Sequence, residues 1–276
     1  MTSLIVGSSG FVGSNLLRLI KSERLFTLNR GTFANESYDL FCDFDSPEEL
    51  KKVFETFNEI EEIYILIGSF SNSVEDIHVN VSIPIKILEA LRLTRHSPRV
   101  LLTGSSAEYG STLEEVKVVS ERSELSPVSL YGLSKMFLSQ VMEYYVRVHK
   151  MDIVYARVFN VLGPGMNRKL LFGKVYAEIA NSSEKELTIS TGSLDAKLDY
   201  ISVEKLCIAL ITVMRQGRIG EVYNIGSGKA SGMRDLLLDF IREYCNVEFT
   251  LNIDENLRPR ILYSCANIEK LKSIKE

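Results

Sequence analysis

Tyr131-Gly132-Leu133-Ser134-Lys135 sets a phenol and an ammonium four residues apart, and the apolar spacing around them predicts one helix from Leu130 to His149. On a helix this interval puts both groups on one face, about a turn apart. A neighbouring cation lowers a phenol pKa from its ordinary value near ~10. A phenol tuned in this way can give its proton to a carbonyl oxygen as hydride arrives at carbon. Lys135 can also donate to the ribose of a nicotinamide cofactor. Ser105 and Ser106 follow a short apolar strand, Val100 to Thr103, and either hydroxyl can hold a carbonyl beside the phenol.

A second group of residues suits a dinucleotide. Gly7-Ser8-Ser9-Gly10-Phe11-Val12-Gly13 reads G-x-x-G-x-x-G between an apolar strand, Thr2 to Val6, and a helical pattern beginning at Phe11. Glycines there let the backbone turn tightly and approach a pyrophosphate, while the helix start adds unpaired N–H groups and a positive dipole end. An acidic residue closing the second strand would accept from a ribose 2′-hydroxyl. The chain has Asn29-Arg30-Gly31 instead, and Arg30 can pair with a 2′-phosphate, which favours NADPH and leaves NAD(H) open. Asp43 and Phe44 follow the third strand, where Asp43 can accept from an adenine amino group. The expected cofactor contacts are therefore Gly7, Ser9, Gly10, Phe11, Val12, Gly13, Asn29, Arg30, Asp43 and Phe44, with Tyr131 and Lys135.

The elements that must position these groups alternate. Short apolar runs at Leu25–Leu28, Tyr38–Cys42, Ile63–Ile67, Val100–Thr103 and Ile153–Val158 read as strands. Helical patterns lie between them: one opening at Ser46-Pro47, one continuous helix from Val74 to Leu93, and the Leu130–His149 helix. This alternation predicts an α/β fold with a doubly wound parallel sheet. Beyond residue 160 the pattern loosens into helices at Leu170–Ala180, Val203–Met214 and Met233–Tyr244 and strands at Leu187–Ser190 and Glu221–Ile225. Residues 1–160 are expected to form the cofactor domain, and 161–276 a small mixed α/β substrate lobe that does not fold independently.

Bulk properties set the limits. The 276 residues are 45% hydrophobic and 25% charged, an ordinary globular balance, with a net charge of −4 and pI near 5.6. That charge argues against nucleic acid as a partner. Cys42, Cys207, Cys245 and Cys265 form no C-x-x-C pair, so no metal site is expected and a reducing cytoplasm is. Leu4-Ile5-Val6 is too short for a signal-peptide core, and no apolar run approaches the ~20 residues of a membrane span.

Taken together, the motifs resemble the extended short-chain dehydrogenase/reductases, the NAD-dependent epimerase/dehydratase family, over residues 2 to about 271. The resemblance rests on the glycine turn, Asn80, and Thr103-Gly104-Ser105-Ser106-Ala107-Glu108-Tyr109-Gly110. It continues through Ser126-Pro127 with Tyr131 and Lys135, then Arg157-Val158-Phe159-Asn160-Val161-Leu162-Gly163-Pro164-Gly165, and Tyr223-Asn224-Ile225-Gly226-Ser227-Gly228.

It implies a Rossmann-type cofactor domain, Ser105, Tyr131 and Lys135 as the catalytic set, and Ser106, Asn80, Asn160 and Arg258 as contacts to a nucleotide-linked sugar. It also implies a homodimer built on the two long helices, which carry apolar residues on more than one face. The family's 4,6-dehydratases use acid/base carboxylates where this chain has Ala107 and Ser106, and its 3,5-epimerising reductases place a cysteine at Ala107. Alternation along the backbone aims Glu108 elsewhere. With no base in place for water elimination or α-proton abstraction, reduction of a 4-keto group is the expected activity. The region from Gly192 to Ala196 with Leu257-Arg258-Pro259 resembles GDP-4-keto-6-deoxymannose reductases, whereas Tyr263 to Asn267 resembles CDP-3,6-dideoxyhexose 4-ketoreductases, which leaves the base open. A 4-epimerase holding NAD tightly and a catalytically idle NADPH-binding regulator are the alternatives.

Overall fold

The computed structural model describes residues 1–31, 34–36, 38–94, 96–112, 118–181, 186–245 and 247–274. The chain opens with β1 (Thr2–Val6), α1 (Phe11–Leu19), β2 (Arg24–Arg30), β3 (Ala34–Glu36), β4 (Asp39–Cys42), α2 (Pro47–Thr56) and β5 (Glu62–Ile65). A helical stretch of α3 (Glu75–Ile77), a π turn at His78–Ser82 and α4 (Ile83–Leu93) leads to β6 (Arg99–Ser105). Then come α5 (Leu130–His149), β7 (Ile153–Val158), β8 (Asn160–Leu162), α6 (Leu171–Asn181), β9 (Glu186–Gly192), β10 (Lys197–Ser202) and α7 (Val203–Gln216). The chain closes with β11 (Val222–Ile225), β12 (Ala230–Gly232), α8 (Met233–Tyr244), β13 (Glu248–Asp254), β14 (Tyr263–Ser264) and α9 (Glu269–Lys272).

Eight strands form the main sheet in the order β11-β7-β6-β5-β1-β2-β4-β3, with only the β3–β4 pairing antiparallel. The chain winds one way from β1 through β2 to β4 and the other way through β5, β6 and β7. The reversal between β1 and β5 opens a crevice at the carboxyl ends of the strands, where doubly wound sheets bind their ligands. One face buries Leu4, Phe26, Leu28, Ile63 and Leu102 against α2, α4 and α5, and the other buries Ile5, Tyr64, Leu101 and Val154 against α1 and α7. Strands buried on both faces are mainly apolar, as Leu4-Ile5-Val6 of the fully buried β1 are, and its polar Ser3 is satisfied by donating to Glu62 at 3.0 Å.

A third cluster joins α6, β9 and α8 through Phe172, Val175, Ile189, Leu237 and Ile241. β9 pairs in parallel with β13, and β10 pairs with β8, β12 and β14. β11 and α7, although late in the chain, return to the main sheet.

The long helix expected over Val74–Leu93 is interrupted. Pro84 has no N–H to donate to the carbonyl of Asn80, and its ring crowds that carbonyl. The backbone widens there, and the Ile83 N–H reaches back five residues to His78. α5, by contrast, runs over the residues its pattern predicts and is capped by Ser129, whose Oγ accepts from the Gly132 N–H at 3.0 Å. β3 and β8 were not anticipated, because three-residue strands carry too little periodicity to read.

Candidate active site

A cleft of about 870 Å³ follows the crevice. One end is formed by Gly7, Ser9, Gly10, Phe11 and Val12 with Asn29, Arg30 and Phe44, and Ser105, Ser106, Tyr131 and Lys135 lie along it. Asn160, Met166, Asn167 and Tyr200 line it from the C-terminal part of the chain. The spacing logic thus brings most of the expected residues together. Gly13, Asp43, Asn80 and Arg258 are not in the lining.

The glycine turn fits a dinucleotide on two observations. Gly7 has φ +86°, a left-handed conformation that favours glycine, and its N–H is held by the Leu28 carbonyl at 3.1 Å. Gly10 is the N-cap of α1 and offers no side-chain cap, so the first N–H groups of the helix are left for a ligand. Gly13 contributes by packing: a Cβ there would lie 2.3 Å from the Gly7 carbonyl oxygen. Asn29 braces the turn, exchanging hydrogen bonds with Ser8 Oγ at 2.9 and 3.1 Å.

Asp43 is exposed and its Oδ1 accepts from the Asp45 N–H at 2.9 Å, so it shapes its own turn. Asp45 was not anticipated. It is paired with Lys86 and lies 3.5 Å from His78 Nε2, and its carboxyl is held below the usual range, most strongly by the Lys86 hydrogen bond.

At the reacting end, Ser105 closes β6 and caps the following single turn, Ser106–Glu108, with Oγ accepting from the Ala107 N–H at 3.2 Å. Tyr131 and Lys135 come from the first turns of α5. Burial raises the Tyr131 phenol above its ordinary pKa, while a hydrogen bond with Ser105 pulls it down. This corrects the expectation that Lys135 lowers it. The Lys135 ammonium instead donates to the Thr103 carbonyl at 3.0 Å. Burial is the main influence on Lys135 too and brings it down to about 8, opposed by the negative charges of Glu108 and Asp76.

Phe70 stands edge-on to Tyr131, ring centroids 6.4 Å apart at 81°. It lies in the loop after β5, at the carboxyl edge beside the reversal point, and that position was the signal by which it could have been found. Met166, Asn167 and Tyr200 had no comparable signal.

Asn80 is fully buried in the π turn, not in the cleft. It accepts from the Ser69 N–H at 2.9 Å and donates to the Ser69 carbonyl at 2.7 Å and Ser134 Oγ at 2.9 Å, so its side chain pins the Phe70 loop to α5. Arg258 is exposed on the loop after β13. Asn160 lines the cleft and donates to the Asp199 carbonyl at 3.0 Å.

Known proteins share this fold. The chain is 28% identical over 232 residues, 83% of its length, to a GDP-6-deoxy-D-talose 4-dehydrogenase of Aggregatibacter actinomycetemcomitans, spanning 75% of that protein. It is 22% identical over 185 residues, 66% of its length, to a GDP-6-deoxy-D-mannose reductase of Pseudomonas aeruginosa, spanning 60% of that protein. Among solved structures it resembles RMD of Pseudomonas aeruginosa complexed with NADPH, with a TM-score of 0.84 at 19% identity over 99% of this chain and 92% of the other. The UDP-glucose 4-epimerase of Thermus thermophilus in complex with NAD gives a TM-score of 0.83 at 19% identity, over 99% and 92% of the two chains. The sequence pattern described as the NAD dependent epimerase/dehydratase family matches residues 3–226, and the chain belongs to that family.

Proposed function

We propose that the protein reduces the 4-keto group of a nucleotide-diphosphate-linked 6-deoxy sugar with NADPH, Tyr131 acting as general acid. The observation that carries this reading is the cleft wall beside Tyr131. It offers the Ser105 and Ser106 hydroxyls, while Glu108, the carboxylate nearest in sequence, is fully buried and ion-paired with Arg157 at 2.8 Å. Reduction of a carbonyl needs a proton donor and an orienting hydroxyl. Elimination or epimerisation next to the carbonyl needs a base as well.

The glycine turn and Lys135 would hold a reduced nicotinamide, which when bound would supply the hydride. Ser105 Oγ orients the carbonyl, and Tyr131 delivers the proton to its oxygen. Burial suits that role, because a phenol held above its ordinary pKa stays protonated at neutral pH. Lys135, on the same face of α5, would hold the cofactor ribose. The names of the two relatives above agree with this chemistry, one a reductase named for a GDP-linked 6-deoxy sugar and the other a 4-dehydrogenase named for another.

The test is turnover of NADPH with a panel of nucleotide-linked 4-keto-6-deoxy sugars in D₂O. The expected product differs from substrate only at C4, without deuterium at C3 or C5 above enzyme-free exchange. Deuterium at either carbon shows a base in the cleft and refutes simple reduction. Isomerisation without net NADPH oxidation supports an epimerase instead, and cofactor binding without turnover an idle regulator.

A further inference from the structure

Beneath the cleft floor a single carboxylate touches one half of the proposed catalytic set and reaches the other through one tyrosine hydroxyl. Glu108 Oε1 accepts from the Ser105 N–H at 2.8 Å and from the Tyr155 hydroxyl at 2.9 Å. The same hydroxyl lies 2.8 Å from the carbonyl oxygen of Lys135, so its one proton is shared between the β6 turn and α5. Glu108 Oε2 accepts from Arg157 Nε at 2.9 Å and Nη2 at 2.8 Å. Arg157 is fixed in turn by the Tyr109 hydroxyl at 2.8 Å, which itself donates to Asn224 Oδ1 at 2.7 Å. The space is filled: a Cβ on Gly104 would lie 2.2 Å from the Tyr155 ring and 2.4 Å from Glu108 Oε1.

Stability alone does not account for such a group. Two buried charges lose their hydration, and a well-packed apolar pair of similar volume often holds a fold equally well. What an apolar pair cannot do is accept hydrogen bonds from two segments at a fixed separation. We propose that Glu108 is the positioning residue of this site, its carboxylate, locked by Arg157, setting Ser105 and the Tyr131–Lys135 turn of α5 in register through the Ser105 N–H and Tyr155. The proposal rests on the reading of Ser105, Tyr131 and Lys135 as the reacting groups.

The charge of Glu108 acts on the same residues. It raises both Tyr131 and Lys135, favouring the protonated phenol and the ammonium. Asp76, behind the Phe70 loop, acts in the same direction, and Tyr155, Arg157 and Tyr109 are the other titratable groups packed around the carboxylate.

Two variants of the full chain test this with NADPH and a nucleotide-linked 4-keto sugar. Tyr155→Phe keeps the ion pair but cuts the link to Lys135. It is expected to lower kcat by up to about 10²-fold, the cost of misplacing a reacting group, with KM unchanged. Glu108→Gln is expected to lower kcat and to move the alkaline limb of kcat/KM for NADPH below its wild-type position, expected near the Lys135 pKa of about 8. A merely structural role would reduce the active fraction and leave that limb in place. Wild-type kcat in Tyr155→Phe, or an unmoved limb in Glu108→Gln, overturns the proposal. Should Glu108→Gln fail to fold, Tyr155→Phe decides.

Amide exchange needs no substrate and separates this proposal from the ketoreductase reading. Should the wild type reduce none of these sugars, faster exchange confined to residues 104–110 and 131–139 in Tyr155→Phe still supports the strut. Unchanged exchange there refutes it.

Discussion

The Lys135 ammonium donates to the Thr103 carbonyl oxygen at 3.0 Å, which ties the catalytic helix to the end of the central strand β6. Burial makes the charged form costly and places its pKa at about 8. The sign is fixed: a lysine lowered from its ordinary value loses its proton earlier as pH rises. The kcat/KM for NADPH, which reports groups in the free enzyme, is therefore expected to fall as pH rises through about 8. A profile flat to pH 10 removes Lys135 from cofactor binding. Lys135→Met is expected to lower NADPH affinity, because it loses the donor to the cofactor ribose, and kcat, because it loses the tie between α5 and the Thr103 carbonyl.

Cofactor choice is proposed to rest on Arg30, at the mouth of the cleft beside the glycine turn. A charge-assisted contact to a 2′-phosphate is worth about 1.5–3 kcal/mol. Arg30→Asp is expected to reverse a preference for NADPH over NADH, measured as kcat/KM for each cofactor. Equal use of both by the wild type contradicts the assignment. The nearby Asp45 does not by itself oppose a phosphate, since Lys86 and His78 flank its charge.

The dimer is also a proposal. Leu130, Phe137, Tyr144 and Val148 recur along one stripe of α5 and are 39%, 42%, 47% and 49% exposed. An apolar stripe on a long helix that the chain's own sheet leaves open suits a self-complementary two-fold contact. Light scattering at micromolar concentration is expected to give twice the chain mass, and Phe137→Asp with Tyr144→Asp to give one. A monomeric wild type contradicts it.

Most of the fold was legible because period and punctuation agreed. β1, α5, β7 and α8 lie where their apolar spacing puts them, and Ser46-Pro47 opens α2 as a cap and first residue should. What could not be read was tertiary. Pro84 breaks the Val74–Leu93 pattern only because a π turn can absorb its missing donor. That turn takes Asn80 away from the substrate and into a bridge between Ser69 and Ser134. The candidate site was legible for Ser105, Tyr131 and Lys135 because each sits at a strand end or a helical interval. It was not legible for Met166 or Tyr200, which reach the cleft only through the path of the chain. The direction of the Tyr131 shift also escaped the sequence, since four-residue spacing promises a cation beside the phenol but says nothing of burial.

The central claim is that Tyr131 protonates the carbonyl oxygen, and single-turnover reduction by Tyr131→Phe tests it most directly. Loss of one acid–base group costs about 10²–10⁴-fold in rate. The account predicts a fall of that order in kcat with NADPH affinity retained, because the phenol hydroxyl acts chiefly in the transition state. Reduction by Tyr131→Phe at the wild-type rate would contradict it.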